Sequence, residues 1–390
     1  MKFDPVNIVH VYYKPQTKKI LVGRLALKSR KIFFEYAPDF IKMGLNLSPF
    51  QLPLKPGVIP CTDFTFDGLF GIFNDSLPDG WGRLVLDRAL IKHKVNPGSL
   101  SVLDRLCFVG SHGMGALIYE PETQSAPPLS HASLDEIAEE IAQFQEDHDD
   151  RYVEDLLSLG GSSSGARPKV LMRIKNEHWI IKFPSSTDPQ DIGAIEYAYH
   201  LMARAAGLEV PDAKLFPSRK GLGFFGSKRF DRTDVERTHM HTISGLLQAD
   251  HRIPSLDYEA IMKATMHLTH NMRDCEKQYR QCVFNVLSHN RDDHAKNFAF
   301  LMDQHGTWRM SPSYDLTFSS GPRGEHCTLV MGEGKYPGIS HLLELARISS
   351  IKKVNALNII DEVKSAVTKW PEFAEQAGVS PSSLEPVFTV

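Results

Sequence analysis

Residues 285–300 read Asn285-Val-Leu-Ser-His-Asn-Arg-Asp-Asp-His-Ala-Lys-Asn-Phe-Ala-Phe300, and this stretch follows an apolar helical run and has an unusual density of polar groups. Asp292 and Asn297 are five positions apart, which is the spacing of the catalytic loop in protein kinases. In that loop the aspartate orients the acceptor hydroxyl and the asparagine binds Mg²⁺. His294 and Lys296 lie between them, so we predict that Lys296 reaches the transferred phosphoryl group while His294 stabilises the loop.

A second metal ligand is predicted further along the chain. Asp315 stands eighteen residues beyond Asn297, directly after a strand-like segment, where kinases place a metal-binding aspartate. Mg²⁺ binds few carboxylates and keeps water and phosphate oxygens as its other ligands. One aspartate and one asparagine suit that preference, so we predict Mg²⁺ and ATP as the cofactors.

Upstream of this block, residues 160–169 read Gly160-Gly-Ser-Ser-Ser-Gly-Ala-Arg-Pro-Lys169, followed by strand-like runs. Consecutive backbone N–H groups of such a loop can surround phosphate oxygens, although a surface loop has the same composition. Lys182 ends an apolar strand, as does the kinase lysine that contacts ATP, and Glu196 is a candidate partner for it. A solvated strand-end lysine is the alternative, but the combined order of elements favours a phosphotransferase.

The chain divides into three predicted parts. A Pro/Ser-rich connector at 121–132 is the best candidate boundary. We predict an N-terminal β-rich domain over 1–130, a kinase N-lobe over 131–235 and a mainly helical C-lobe over 236–390. The fold class is therefore α+β, with a two-lobed protein-kinase-like arrangement.

Composition excludes several classes of protein. The chain has 390 residues and a formal net charge of −3, which argues against binding to nucleic acid through bulk positive charge. The five cysteines form no C-x-x-C pair, so a disulfide framework or a Cys-rich zinc site is not expected. No apolar run approaches the roughly 18 residues of a membrane span. We predict a soluble, cytoplasmic protein.

On these residues the chain resembles the HipA family of bacterial serine/threonine kinases, toxins of type II toxin–antitoxin modules. The matching blocks are Phe73–Arg83, which is similar to the family's N-terminal signature, Ser162–Lys169, Asn290–Asn297 with Tyr314-Asp315, and the hinge segment Arg229–Arg232. The resemblance implies Asp292 as the catalytic aspartate. It implies Mg²⁺ contacts from Asn297 and Asp315, and ATP contacts from Ser164, Gly165, Ala166, Lys169, Lys182, Lys228, Arg229, Phe230, His294 and Lys296.

The resemblance also implies regulation by autophosphorylation. The family's regulatory serine falls on Ser162, and Ser164 resembles the second serine of the shorter HipT relatives, so either or both are candidate sites. A phosphate there would add about −1.5 to −2 charges to a loop that binds ATP phosphates. Lys228 differs from the acidic hinge residue of some members, which leaves the backbone of residues 228–230 to line the adenine.

The partners implied by the resemblance are proteins. Family members phosphorylate aminoacyl-tRNA synthetases, which inhibits translation, and a small HipB-like DNA-binding antitoxin brings them to operator DNA. A small-molecule phosphotransferase shares the geometry of the catalytic loop and is the second hypothesis. An inactive corepressor or scaffold that keeps the kinase fold is the third hypothesis.

Overall fold

The computed structural model describes residues 4–123, 133–146, 150–160, 165–221 and 223–383. Ser162 and Ser164, the predicted regulatory sites, lie outside the described residues, as does the predicted ATP contact of Ser164. No helix in these ranges is long and apolar enough to cross a lipid bilayer.

The N-terminal region is built on an antiparallel sheet with the strands β1 Ile8–Tyr13, β2 Ile20–Lys28, β3 Lys31–Tyr36, β4 Val58–Pro60 and β5 Leu117–Glu120. Their order in the sheet is β4-β3-β2-β1-β5. Alternate residues of β1 and β3 are buried, as the period of two in a half-buried strand requires. Its helices are α1 Pro38–Met43, α2 Gly71–Asn74, α3 Gly80–Lys92 and α4 Val102–Val109.

The middle region forms a second antiparallel sheet, of order β6-β7-β9-β8. Its strands are β6 Lys169–Ile174, β7 Glu177–Lys182, β8 Ala213–Phe216 and β9 Phe224–Lys228. Its helices are α5 Leu134–Glu146, α6 Val153–Gly160 and α7 Ile192–Ala205. Gly160, the first residue of the predicted loop, is the last residue of α6, and Lys169, its last residue, begins β6.

The C-terminal region is mainly helical, as predicted. Its helices are α8 Ile243–Leu247, α9 Tyr258–Thr269, α10 Met272–Leu287, α11 Ile339–Ile348, α12 Lys353–Thr368 and α13 Trp370–Ala377. Its short strands are β10 His239–Thr242, β11 Leu256–Asp257, β12 Ala299–Met302, β13 Trp308–Met310 and β14 Thr328–Leu329. The predicted α+β fold class is therefore confirmed.

The packing does not follow the order of the chain. Trp81 and Val85 of α3 share a buried apolar cluster with Ile137 of α5 and Trp179 of β7. An N-terminal helix thus completes the core of the middle region. The predicted boundary at 121–132 therefore separates two parts of the sequence that share one hydrophobic cluster in the folded protein.

A buried carboxylate links the N-terminal region to the helical region. Asp75, just after α2, accepts hydrogen bonds from the Thr242 backbone N–H and hydroxyl, both at 2.7 Å, and lies 2.6 Å from His241 Nδ1. Beside it, α2 and α8 approach so closely that a Cβ on Gly71 would lie 2.1 Å from the Gly245 carbonyl oxygen. The two helix backbones are therefore in direct contact at this joint, where a side chain on Gly71 would not fit.

Replacing Asp75 by alanine is expected to destabilise the protein by about 3 kcal/mol, because buried donors of Thr242 and His241 lose their acceptor. Urea unfolding measures the change. Asp39→Ala is the matched control, since the Asp39 side chain is 93% exposed. Equal losses for the two variants would contradict the proposed importance of this joint.

Candidate active site

Lys182 lies at the end of β7 with its side chain only 12% exposed. Its ammonium lies 2.8 Å from Glu196 of α7 and contacts the carboxylate of Asp315. Burial alone would lower the pKa of Lys182, but Asp315 and Glu196 raise it above its usual value. The lysine is therefore charged at neutral pH and joins the sheet, the helix and the segment after β13.

Asp315 is held in an unusual backbone conformation. Its φ of 57° lies in the left-handed region, which aspartate adopts more readily than most residues. Burial would raise the pKa of Asp315, but Lys182 and Lys169 hold it well below its usual range. The preceding Tyr314 donates its hydroxyl to the Lys296 carbonyl at 2.5 Å, so this segment is fixed against the catalytic loop.

An internal hydrogen bond orients Asp292 and Asn297 within the predicted catalytic loop. The Asn297 side-chain N–H donates to the Asp292 carbonyl oxygen at 2.7 Å. The Asp292 carboxylate faces the cavity, and desolvation raises its pKa above the usual value; His294 opposes this shift, whereas Asp315 adds to it. Asp292 and Asn297, five residues apart in the sequence, therefore line the same cavity.

Asp293 anchors the loop from behind. It is fully buried and accepts hydrogen bonds from the Tyr258 hydroxyl at 2.9 Å and the Thr328 N–H at 3.2 Å, and His326 Nδ1 lies 2.9 Å from it. These contacts fix the backbone next to Asp292. Sequence analysis missed this anchor, because a second aspartate in a polar loop carries no sign of burial.

Lys169, at the described end of the predicted phosphate loop, places a cation at the cavity. Lys169 is 7% exposed, and within the described ranges no carboxylate lies within 4.0 Å of its ammonium. Burial lowers the pKa of Lys169; Asp315 opposes this shift, and Lys182 adds to it. An anion such as a phosphate would supply the missing charge. Gly165 and Ala166 line the same cavity.

Arg167 is a site residue that sequence analysis did not assign. It pairs with Glu196 at 2.8 Å and with Asp188 at 3.1 Å. Glu196 therefore contacts both Arg167 and Lys182, which fixes α7 against the loop and the sheet. The arginine was visible in the quoted motif, but its partners lie 21 and 29 residues away.

Residues 228–230, the predicted adenine contacts, follow β9 at the hinge and make several contacts within the protein. The Lys228 ammonium lies 2.7 Å from Glu177, and its backbone N–H donates to Asp212 at 2.8 Å. The Arg229 N–H donates to the His178 carbonyl at 2.8 Å. The backbone N–H groups of Lys228 and Arg229 are therefore already used within the protein and are not free to bind an adenine ring. All three residues 228–230 nevertheless line the cavity.

One large cavity joins these groups. Its volume is about 1190 Å³, and it extends from the hinge to the catalytic loop and on to α3. It is lined by each described residue of the predicted site, namely Gly165, Ala166, Lys169, Lys182, Lys228, Arg229, Phe230, Asp292, His294, Lys296, Asn297 and Asp315. Residues of the N-terminal region, among them Asp79 and Arg83, line it as well.

The donor set suits a hard cation that binds together with phosphate oxygens. Asn297 uses its side-chain nitrogen in the bond to Asp292, which leaves its amide oxygen as the ligand type that Mg²⁺ prefers. Asp315 supplies a carboxylate that stays ionised. Across the described ranges, His, Cys, Asp and Glu form no group of three or more suited to a metal ion. The remaining ligands of Mg²⁺ would therefore be phosphate oxygens and water.

Removing the Lys182 charge by Lys182→Met is expected to cost about 3 kcal/mol of stability, because Asp315 and Glu196 lose a buried counter-ion. Thermal or urea unfolding measures the loss. Lys175→Met, at an exposed lysine in the turn between β6 and β7, is the control and should change stability little. A loss no larger than that of the control would contradict the charged, buried state of Lys182.

The buried pair of Arg229 and Asp231 predicts a pH dependence. Burial would raise the pKa of Asp231, but Arg229, 2.6 Å away, lowers it to about 2. Because the pKa of Asp231 is lower in the folded than in the unfolded protein, its ionised form stabilises the fold above about pH 4, the pKa of an unfolded aspartate. This stabilisation is lost as the pH falls from about 4 to about 2. The difference in unfolding free energy between wild type and Asp231→Asn should therefore narrow from pH 5 to pH 3, and a constant difference would contradict the assignment.

Comparison with known proteins places the chain in a family. Residues 15–120 match the family model of the HipA N-terminal domain, and residues 161–370 match that of the HipA-like C-terminal domain. "Putative kinase Y4dM" of Sinorhizobium fredii is 26% identical over 208 residues, covering 49% of this chain and 50% of the relative. A "Putative kinase" of Haemophilus influenzae is 25% identical over 181 residues, covering 40% and 52%. The chain spans about half the length of these curated relatives.

A solved structure supports the fold along almost the whole chain. It is the complex of the Shewanella oneidensis MR-1 toxin–antitoxin system HipA, HipB and its operator DNA, with a TM-score of 0.69 at 17% identity. The match covers 96% of this chain and 93% of that chain, which confirms the predicted two-lobed fold with its N-terminal domain. Because the HipA-like C-terminal domain spans more than half of the 390 residues and the HipA N-terminal domain precedes it, the chain belongs to the HipA family.

Proposed function

We propose that this protein is an ATP- and Mg²⁺-dependent serine/threonine protein kinase that acts as the toxin of a type II toxin–antitoxin module. The observation that supports this most strongly is the buried Lys182 between Glu196 and Asp315, in the same cavity as Asp292 and Asn297. Membership of the HipA family and the kinase names of two relatives agree with it.

The roles follow from the charges around the cavity. Lys169 and Lys182 bind the ATP phosphates, and Lys296 lies where it can stabilise the transferred group. Asp292 accepts a hydrogen bond from the acceptor hydroxyl and orients it for attack. Mg²⁺ held by Asn297 and Asp315 would neutralise charge on the phosphate oxygens. In this proposal the cations of the cavity bind the phosphates, while the carboxylate of Asp292 acts on the acceptor hydroxyl.

The proposed partners come from the family and from one structural neighbour. That neighbour was solved with HipB and operator DNA, and we propose a HipB-like antitoxin for this chain, with DNA contacted through the antitoxin. The net charge of −3 is compatible with this arrangement. We further propose that the protein substrate is an aminoacyl-tRNA synthetase, that its phosphorylation inhibits translation, and that autophosphorylation of Ser162 or Ser164 inactivates the kinase by repulsion of the ATP phosphates.

Intact-mass spectrometry of the wild type and Asp292→Asn, each incubated with ATP and Mg²⁺, tests the proposal. We expect phosphate masses on the wild type, mapped to Ser162 or Ser164, and a rate at least about 100-fold lower for the variant, because the acceptor loses its orienting carboxylate. Asp361→Asn, at an exposed position of α12, is the control and should behave as the wild type. Equal rates for Asp292→Asn and wild type would refute the catalytic role.

Assays on the same purified protein distinguish this proposal from a small-molecule phosphotransferase and from an inactive scaffold. Turnover of small alcohols with no labelling of any protein would favour a small-molecule phosphotransferase. Nucleotide binding without transfer to any acceptor, in protein that holds no phosphate at the start, would favour a scaffold. Phosphorylation of a purified aminoacyl-tRNA synthetase by the wild type alone would identify the substrate class.

A further inference from the structure

The N-terminus of α3 lies directly on the phosphate loop. The Trp81 N–H donates to the Gly165 carbonyl at 2.9 Å, and a Cβ on Gly80 would lie 2.5 Å from that same oxygen. Gly80 also has a φ of +41°, which disfavours other residues. The signature segment of the N-terminal domain is therefore built to place its backbone against a loop of the kinase region.

Asp79 precedes this helix but does not cap it. At the N-cap position an aspartate ordinarily accepts a hydrogen bond from its own helix, yet the Asp79 side chain makes no such bond. One carboxylate oxygen accepts instead from the Gly165 N–H, and the other lies 2.5 Å from the Lys296 ammonium. The side chain is 20% exposed, and His251 Nε2 lies 3.5 Å from it.

These two donors are the ones that the proposed reaction needs. A phosphate loop binds phosphate oxygens through backbone N–H groups, and Lys296 lies within the catalytic loop beside Asp292. The Asp79 carboxylate is an anion that accepts from a loop amide and pairs with a lysine, so it uses the two donors that the oxygens of a terminal phosphate would need. Asp79 and a terminal phosphate therefore cannot both use Lys296 and Gly165 fully.

We infer that Asp79 competes with the terminal phosphate of ATP, so that the N-terminal domain keeps the phosphoryl-transfer end of the site occupied until a triphosphate displaces it. This inference rests on the proposed function, since it requires a nucleotide in the cavity. It goes beyond that function in making one carboxylate of the N-terminal domain an autoinhibitory group. ADP lacks the terminal phosphate that the proposed reaction brings to Lys296, so we expect ADP to compete with Asp79 much less than a triphosphate does.

Calorimetric titration with two probes tests the competition. The probes are the β,γ-imido analogue of ATP and ADP, each with Mg²⁺, added to phosphatase-treated wild type and Asp79→Asn. The asparagine keeps the shape of the side chain and removes its charge. We expect the Kd of the triphosphate analogue to fall by about five- to tenfold while the Kd of ADP changes by less than about twofold.

Two further variants make the result specific. Asp39→Asn, at an exposed position of the same domain, should leave both dissociation constants unchanged. In a Lys296→Met background the gain from Asp79→Asn should shrink, because the shared cation is gone. Thermal unfolding of each variant checks that the fold is intact.

The outcomes distinguish the inference from the proposed function. An unchanged or weaker triphosphate affinity in Asp79→Asn, with ADP bound normally, would overturn the competition and leave the kinase proposal standing. An equal gain for ADP and the triphosphate would also overturn it, since Asp79 would then act on the site as a whole. Binding of neither nucleotide to the wild type would refute the proposed function and the inference with it.

Discussion

The ammonium of Lys182 is almost removed from water at the end of β7, and a buried charge of this kind is stable only beside opposite charges. Glu196 and Asp315 supply them from a helix and from a loop of the other lobe. The two lobes are therefore coupled through one cation. The rest of the site is arranged around it: Lys169 remains unpaired by any carboxylate of the described ranges, while Asp292 faces the same cavity.

The N-terminal domain contributes charged groups to the cavity and to the contact with the helical region. Asp75 binds Thr242 and His241 of the helical region, and four residues later Asp79 contacts Gly165 and Lys296. One short segment thus contributes both to the joint between domains and to the end of the cavity where phosphoryl transfer is proposed. Gly80, the residue after Asp79, lies so close to the Gly165 carbonyl that a larger side chain would not fit there.

The sequence predicted the site wherever chemistry is encoded in spacing. The five-residue interval of Asp292 and Asn297 and the position of Asp315 specified which side chains face the cavity. It did not predict Asp79 or Arg167, because their partners lie 217 and 29 residues away in the chain. Nor did it predict that the amides of the hinge are already used by the sheet, since hydrogen-bond register is decided by strand pairing.

The sequence by itself determined the α+β class, the kinase-like order of motifs and the identity of the charged groups, because these depend on local periodicity and residue chemistry. Only the tertiary structure specified which charged side chains lie in contact with one another. Whether Lys182 is solvated or paired, whether Asp293 is exposed or an anchor, and whether Asp79 caps its own helix or contacts Lys296 all depend on burial. Burial is set by the packing of distant segments, which no local pattern specifies.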